Sequence, residues 1–139
     1  MILSPIRDRL ASGSAVAAAL AVYNFGSGDV PAIFTVDPIP EDAELPAVVL
    51  TLMSGSTWGT RAKRGAEVAV DLSVYSDKTG STAALRAAAW AIWERLNRAE
   101  LTIVGYEEVG VIVTPPVTAP DPDGFPGLRM TATIRIIEE

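Results

Sequence analysis

The chain has no histidine and no cysteine among its 139 residues. Their absence removes the usual general base, the thiol nucleophile, the commonest zinc and copper ligands and any disulfide. Lysine is nearly absent too, with only Lys63 and Lys78, so a serine nucleophile would have just two amines to activate it. The longest apolar run, Ala15 to Tyr23, is too short to span a bilayer and is mostly alanine, and no basic segment with a cleavage site precedes it. The expectation is a protein made and kept in a cytosol-like compartment, without a membrane role.

Hydrophobic residues make up 49% of the chain and charged residues 20%, far from the signature of disorder. The length suits a single domain, residues 1–139, able to bury roughly 70% of its unfolded surface. A formal charge of -6 argues against general affinity for nucleic acid, which depends on cations neutralising phosphates.

The most decisive local pattern is Gly65 to Arg98. Val68, Val70, Leu72 and Val74 alternate with Glu67, Ala69, Asp71 and Ser73, which predicts a strand over Glu67 to Tyr75 with one face on a core. A polar turn, Asp77 to Ser81, follows and leaves Thr79 or Ser81 as a helix cap. From Thr82 to Arg98, Leu85, Ala88, Ala89, Ile92 and Leu96 form one apolar stripe, with Trp90 and Trp93 expected as core or rim packing.

Upstream, Ser4-Pro5 reads as a cap followed by proline at the first helical position, and Ser14 as the cap of a second piece, Ala15 to Ala21. Gly26 to Asp29 reads as a loop. Ala32 to Val36 reads as a short strand, Pro38 to Pro46 as a surface crossing, and Ala47 to Met53 as an inner strand. Ser54 to Arg64 reads as a long loop carrying Trp58, Arg61, Lys63 and Arg64. Downstream, Leu101 to Val113 is a strand pair or one bent strand with glycines at 105 and 110. Thr114 to Gly127 holds five of the ten prolines and must be a stiffened excursion, and Leu128 to Ile137 is an amphipathic final strand. The order predicts an α+β domain: a mainly antiparallel sheet of about four strands with two main helices packed on one face.

No catalytic constellation emerges. The acidic clusters sit in proline-bounded loops or on exposed strand faces and read as solvated. Gly26-Ser27-Gly28 lacks the further glycine or lysine of a phosphate loop. Asp121-Pro122-Asp123-Gly124 lacks the third acid and the bidentate glutamate of a calcium loop, Ala132 standing where the latter belongs. No metal or cofactor is expected. Trp58 with its cations suits a protein partner, since Trp and Arg dominate interface hot spots, or a ring folded back over the sheet; single-stranded nucleic acid is a weaker match.

The strand Val68-x-Val70-x-Leu72-x-Val74-Tyr75-Ser76, a glycine-containing connector and an alanine-rich helix ending Ile92-Trp93-x-x-Leu96 resemble the tail terminator (tail completion) proteins of long-tailed phages and phage-derived gene transfer particles. The N-terminal helix, the strand Pro46 to Leu50 and the final strand through Ile136 fall in the matching order, so the resemblance spans almost the whole chain. It implies a non-enzymatic ring, usually of six subunits, that caps the tail tube, ends its polymerisation and joins the head connector, with DNA passing through the lumen. It places the protein at the tail end nearest the head, assembled in the bacterial cytoplasm. Under it, the two long loops become protein interfaces, with Trp58, Arg61, Lys63, Arg64, Asp121, Asp123 and Phe125 as contact residues. The alternative from another class is a non-catalytic α+β module binding a peptide or ligand along a sheet edge.

Overall fold

A computed structural model describes residues 3–24, 29–35, 46–59, 64–76, 82–99, 101, 105–118 and 127–138. The described residues form an α+β fold of three helices and eight strands in the order α1 (Leu3–Ala11), α2 (Ser14–Ala19), β1 (Val22–Asn24), β2 (Asp29–Pro31), β3 (Ile33–Phe34), β4 (Ala47–Gly59), β5 (Arg64–Tyr75), α3 (Thr82–Leu96), β6 (Tyr106–Val113), β7 (Val117–Thr118) and β8 (Gly127–Glu138). Six strands form the main sheet, ordered β3-β4-β5-β8-β6, with β7 also on β8. Only the β3–β4 pairing is parallel among the described strands. The expected four strands and two helices therefore become six and three. The short β3 falls within the strand expected over Ala32 to Val36, whereas β7 lies in a segment too proline-rich to announce itself.

The long strands alternate as their sequences require. Val70, Leu72 and Val74 of β5 and Met130, Ala132, Ile134 and Ile136 of β8 are buried, together with Val48 and Leu50 of β4. They form one core with Leu3, Ile6 and Leu10 of α1, Val16 of α2 and the α3 stripe Leu85, Ala88, Ala89, Ile92 and Leu96. A smaller apolar cluster, Ala32, Phe34, Ala47 and Val49 with Tyr23 and Tyr75 against it, uses strand positions of the opposite parity. It therefore lies on the other face of the sheet, at the end where β4 begins. The β1–β2 hairpin, unexpected from sequence, contributes Tyr23, whose ring meets Phe34 edge-on at 5.1 Å.

Several local expectations shift. Helix α1 already includes Leu3, and Ser14 is the first residue of α2, with Gly13 at the cap position and no side-chain cap. A side chain at Gly13 would meet Arg95, since an added Cβ would lie 3.0 Å from Arg95 Cδ and Nε. The Thr79 or Ser81 cap lies outside the described residues. Leu101 is buried but precedes β6, which is one strand with a register shift between Glu107 and Gly110.

Helices α1 and α3 end side by side, which brings two partly negative termini together. Two arginines resolve this. Arg95 Nε donates to the Arg9 carbonyl at 3.0 Å and Arg9 Nε to the Arg95 carbonyl at 3.2 Å, while Arg95 Nη2 reaches Ser12 Oγ at 2.8 Å. Each guanidinium thus satisfies a carbonyl in the last turn of the other helix.

Past α3 the backbone reverses at Arg98, whose φ is +61°. A residue with a Cβ pays roughly 1–2 kcal/mol for that conformation. Arg98→Gly is expected to raise stability by about 0.5–1 kcal/mol, after the extra chain freedom of glycine is subtracted. A urea midpoint shifted upward at constant slope would register it.

Candidate functional site

Because the helices take one face of the sheet, the opposite face is where the polar side chains of β5 and β8 must go. Arg129 donates through Nε to Asp71 Oδ1, Ser73 Oγ donates to Asp71 Oδ2 at 3.0 Å, and Arg135 Nε donates to Glu67 Oε2 at 2.8 Å. Asp71 is buried, against the expectation that the acidic residues on exposed strand faces are solvated; its partner is 58 residues away, beyond the reach of any local pattern. The Asp71 carboxylate raises the Arg129 guanidinium further above its ordinary pKa, by hydrogen bond first and charge second. Arg129 Nη2 also lies 3.7 Å from Met53 Sδ. Thr131 and Thr133 complete the β8 part of this face, half-buried.

Among the described residues these charges cancel in pairs, leaving a hydrogen-bonding surface with no isolated charge to seize a phosphate. Among the described residues, no group of three His, Cys, Asp or Glu side chains converges to hold a metal ion. Nor is any described helix long and apolar enough to cross a membrane.

The residues singled out as contacts fall at two places. The expected loop Ser54 to Arg64 is instead largely strand: β4 continues to Gly59, β5 begins at Arg64, and they pair from Ala47↔Tyr75 to Gly59↔Arg64. Two neighbouring strand ends therefore carry Trp58, opposite Gly65, and Arg64, opposite Gly59. Arg61 and Lys63 lie between them, outside the described residues. Asp121, Asp123 and Phe125 also lie outside, between β7 and β8. On α3, Trp90 is exposed and packs edge-on to Trp93 at 5.4 Å, while the Trp93 indole N–H donates to the Val113 carbonyl at 2.9 Å. That tryptophan is a structural clasp, and its donor role is not visible in the helical stripe.

Residues 4–139 match the family described as Tail completion protein gp17. The chain belongs to that family. It is a structural protein of phage-type tails. Among solved structures, this tail completion protein is similar to a chain in the virion of a native gene transfer agent particle, at TM-score 0.64 and 20% identity over 96% of this chain and 92% of that one. That likeness is one of fold. No curated protein matches the chain.

The polar face of this tail completion protein also bears on its stability. Asp71→Ala strands the half-exposed Arg129 without its carboxylate and should lower the denaturant midpoint, the exposure of the arginine keeping the loss below that of a fully buried pair. A double-mutant cycle with Arg129→Ala, read by denaturant melts, should recover a favourable coupling between the two side chains. Strict additivity would show the pair to be idle.

Proposed function

We propose that the whole chain, acting as one domain, closes the head-proximal end of a tail tube as a ring of copies. In that position it stops tube polymerisation and joins the tail to the head connector. Membership of the tail completion family across residues 4–139 carries this reading. The fold likeness to a chain of a gene transfer agent virion supports it. Six is the subunit number the resemblance favours, and any head-to-tail contact that closes by rotation would produce such a ring. The role is mechanical and requires neither catalysis nor cofactor, and assembly takes place in the bacterial cytoplasm.

Within this reading, the β4–β5 end with Trp58, Arg61, Lys63 and Arg64, and the segment with Asp121, Asp123 and Phe125, contact the tube, the connector or the neighbouring copy. Tryptophan and arginine are the residue types that most often concentrate binding energy. The net charge of -6 suits a lumen through which DNA slides without adhering.

Electron microscopy of particles made with the Trp58→Ala/Arg61→Ala variant tests the contact assignment. The expected result is tubes of uncontrolled length lacking the cap, with the free protein folded as before. Tubes of normal length and a normal cap would refute it. Separately, the purified protein should show no appreciable DNA retention at physiological salt, and retention would count against the lumen argument.

A further inference from the structure

Among the described residues, both margins of the six-stranded sheet are closed along one half and open along the other. On the β4 margin, β3 pairs with Val48 and Val49, and the Val48 N–H donates to the Ala32 carbonyl at 3.0 Å. Nothing among the described residues pairs with the outer side of β4 from Thr51 to Gly59. On the β6 margin the tail of α3 plays the blocking part. Arg98 N–H donates to the Val111 carbonyl at 2.8 Å, Trp93 Nε1 to the Val113 carbonyl at 2.9 Å, and Asn97 Oδ1 accepts from the Val113 N–H at 2.9 Å. The other half of β6, Tyr106 to Gly110, has no such cover among the described residues.

The direction of the free backbone groups follows from register. Val48 faces outward, so its partner Val74 faces β8. The β5–β8 pairing runs unbroken from Gly65↔Ile137 to Tyr75↔Gly127, so Ala66, eight residues before Val74, also faces β8. Thr57, opposite Ala66, therefore turns its N–H and carbonyl outward, as do Gly55 and Gly59. The same alternation turns the Tyr106 backbone outward, because its partner Glu138 faces β5. Both open halves lie at one end of the sheet, since Trp58, Gly65, Ile137 and Glu107 follow one another across the strands. They also run in opposite directions.

We propose that the open half of β4 in one copy of this chain pairs antiparallel with the open half of β6 in the next, so that the ring is closed by backbone hydrogen bonds carrying one sheet into its neighbour. This rests on the ring reading above and specifies its joint. The match is head-to-tail by construction, because the two margins differ and each offers what the other needs. Side chains agree with it. Leu52 and Met53 are each 52% exposed beside one open edge, and Tyr106 is 38% exposed beside the other. A neighbouring strand would cover apolar groups that are otherwise left to water. Gly55 and Gly59 permit a second backbone to approach closely.

The absence of cysteine makes introduced thiols unique. The full-length Thr57→Cys/Tyr106→Cys variant, concentrated or in assembled particles, is treated with a short bis-maleimide. Expected is a covalent ladder ending at the ring size, with each single variant staying monomeric on denaturing gels. Dimers from Thr57→Cys alone would reveal two-fold β4–β4 pairing, and rings without any cross-link would place the joint elsewhere; either overturns the proposal. Thr57→Pro removes one outward N–H and spares every β4–β5 bond. It should melt like the parent yet lose ring assembly. If Thr57→Pro still forms rings, edge pairing falls while the ring stands. If the parent forms none, alone or on tubes, both fall.

Discussion

A sheet's outermost strands carry rows of N–H and C=O groups that must find partners, and much of this chain is arranged by that requirement. The C-terminal turn of α3 meets β6 through an indole, an amide side chain and a backbone N–H, all directed at Val111 and Val113. To present them, the chain accepts a left-handed Arg98. Once α3 is fixed on that margin, its apolar stripe falls over β5 and β8, and its final carbonyls come to rest beside α1. The two crossed arginines are then needed because the geometry has put two helix ends of like polarity together.

The other face answers to a different constraint. Helices cover only one side, so alternation sends Glu67, Asp71, Ser73, Arg129 and Arg135 to the opposite side, where they neutralise one another. At the β4 entrance that same side becomes apolar, sealed by Phe34, Tyr23 and Tyr75. Three backbone bonds hold the entrance together: Ala21 N–H to the Pro46 carbonyl, Ala32 N–H to the Ala21 carbonyl, and Val48 N–H to the Ala32 carbonyl. The N-terminal hairpin is thus fastened to the sheet by its ends and its rings.

Elements whose pattern repeats over many residues were readable from sequence. Glu67 to Tyr75, the α3 stripe and the last strand needed only alternation or helical spacing, because each presses one face on the core. Ser54 to Gly59 looked like loop because glycine and serine are poor strand formers, yet register with β5 overrides that preference. The hairpin of β1 and β2 was hidden by strands of only three residues. Of the residues expected as contacts, Trp58 and Arg64 were read into one long loop and instead sit on the facing ends of two paired strands. It gave no hint that Asp71 would be buried, since a pairing with Arg129 is a property of the assembled sheet.

One consequence concerns the long β4–β5 pair. Near Ala47 and Tyr75 it is sandwiched between two apolar clusters, whereas toward Gly59 and Arg64 apolar packing of β5 continues only on the helix side, through Ala66 and Val68. The same two strands therefore have a stiff root and a compliant tip. Amides at the root would exchange with solvent only when the whole molecule opens, and those at the tip through local fraying. In any assembly the tip can adjust to its neighbour's twist while the root holds the shape.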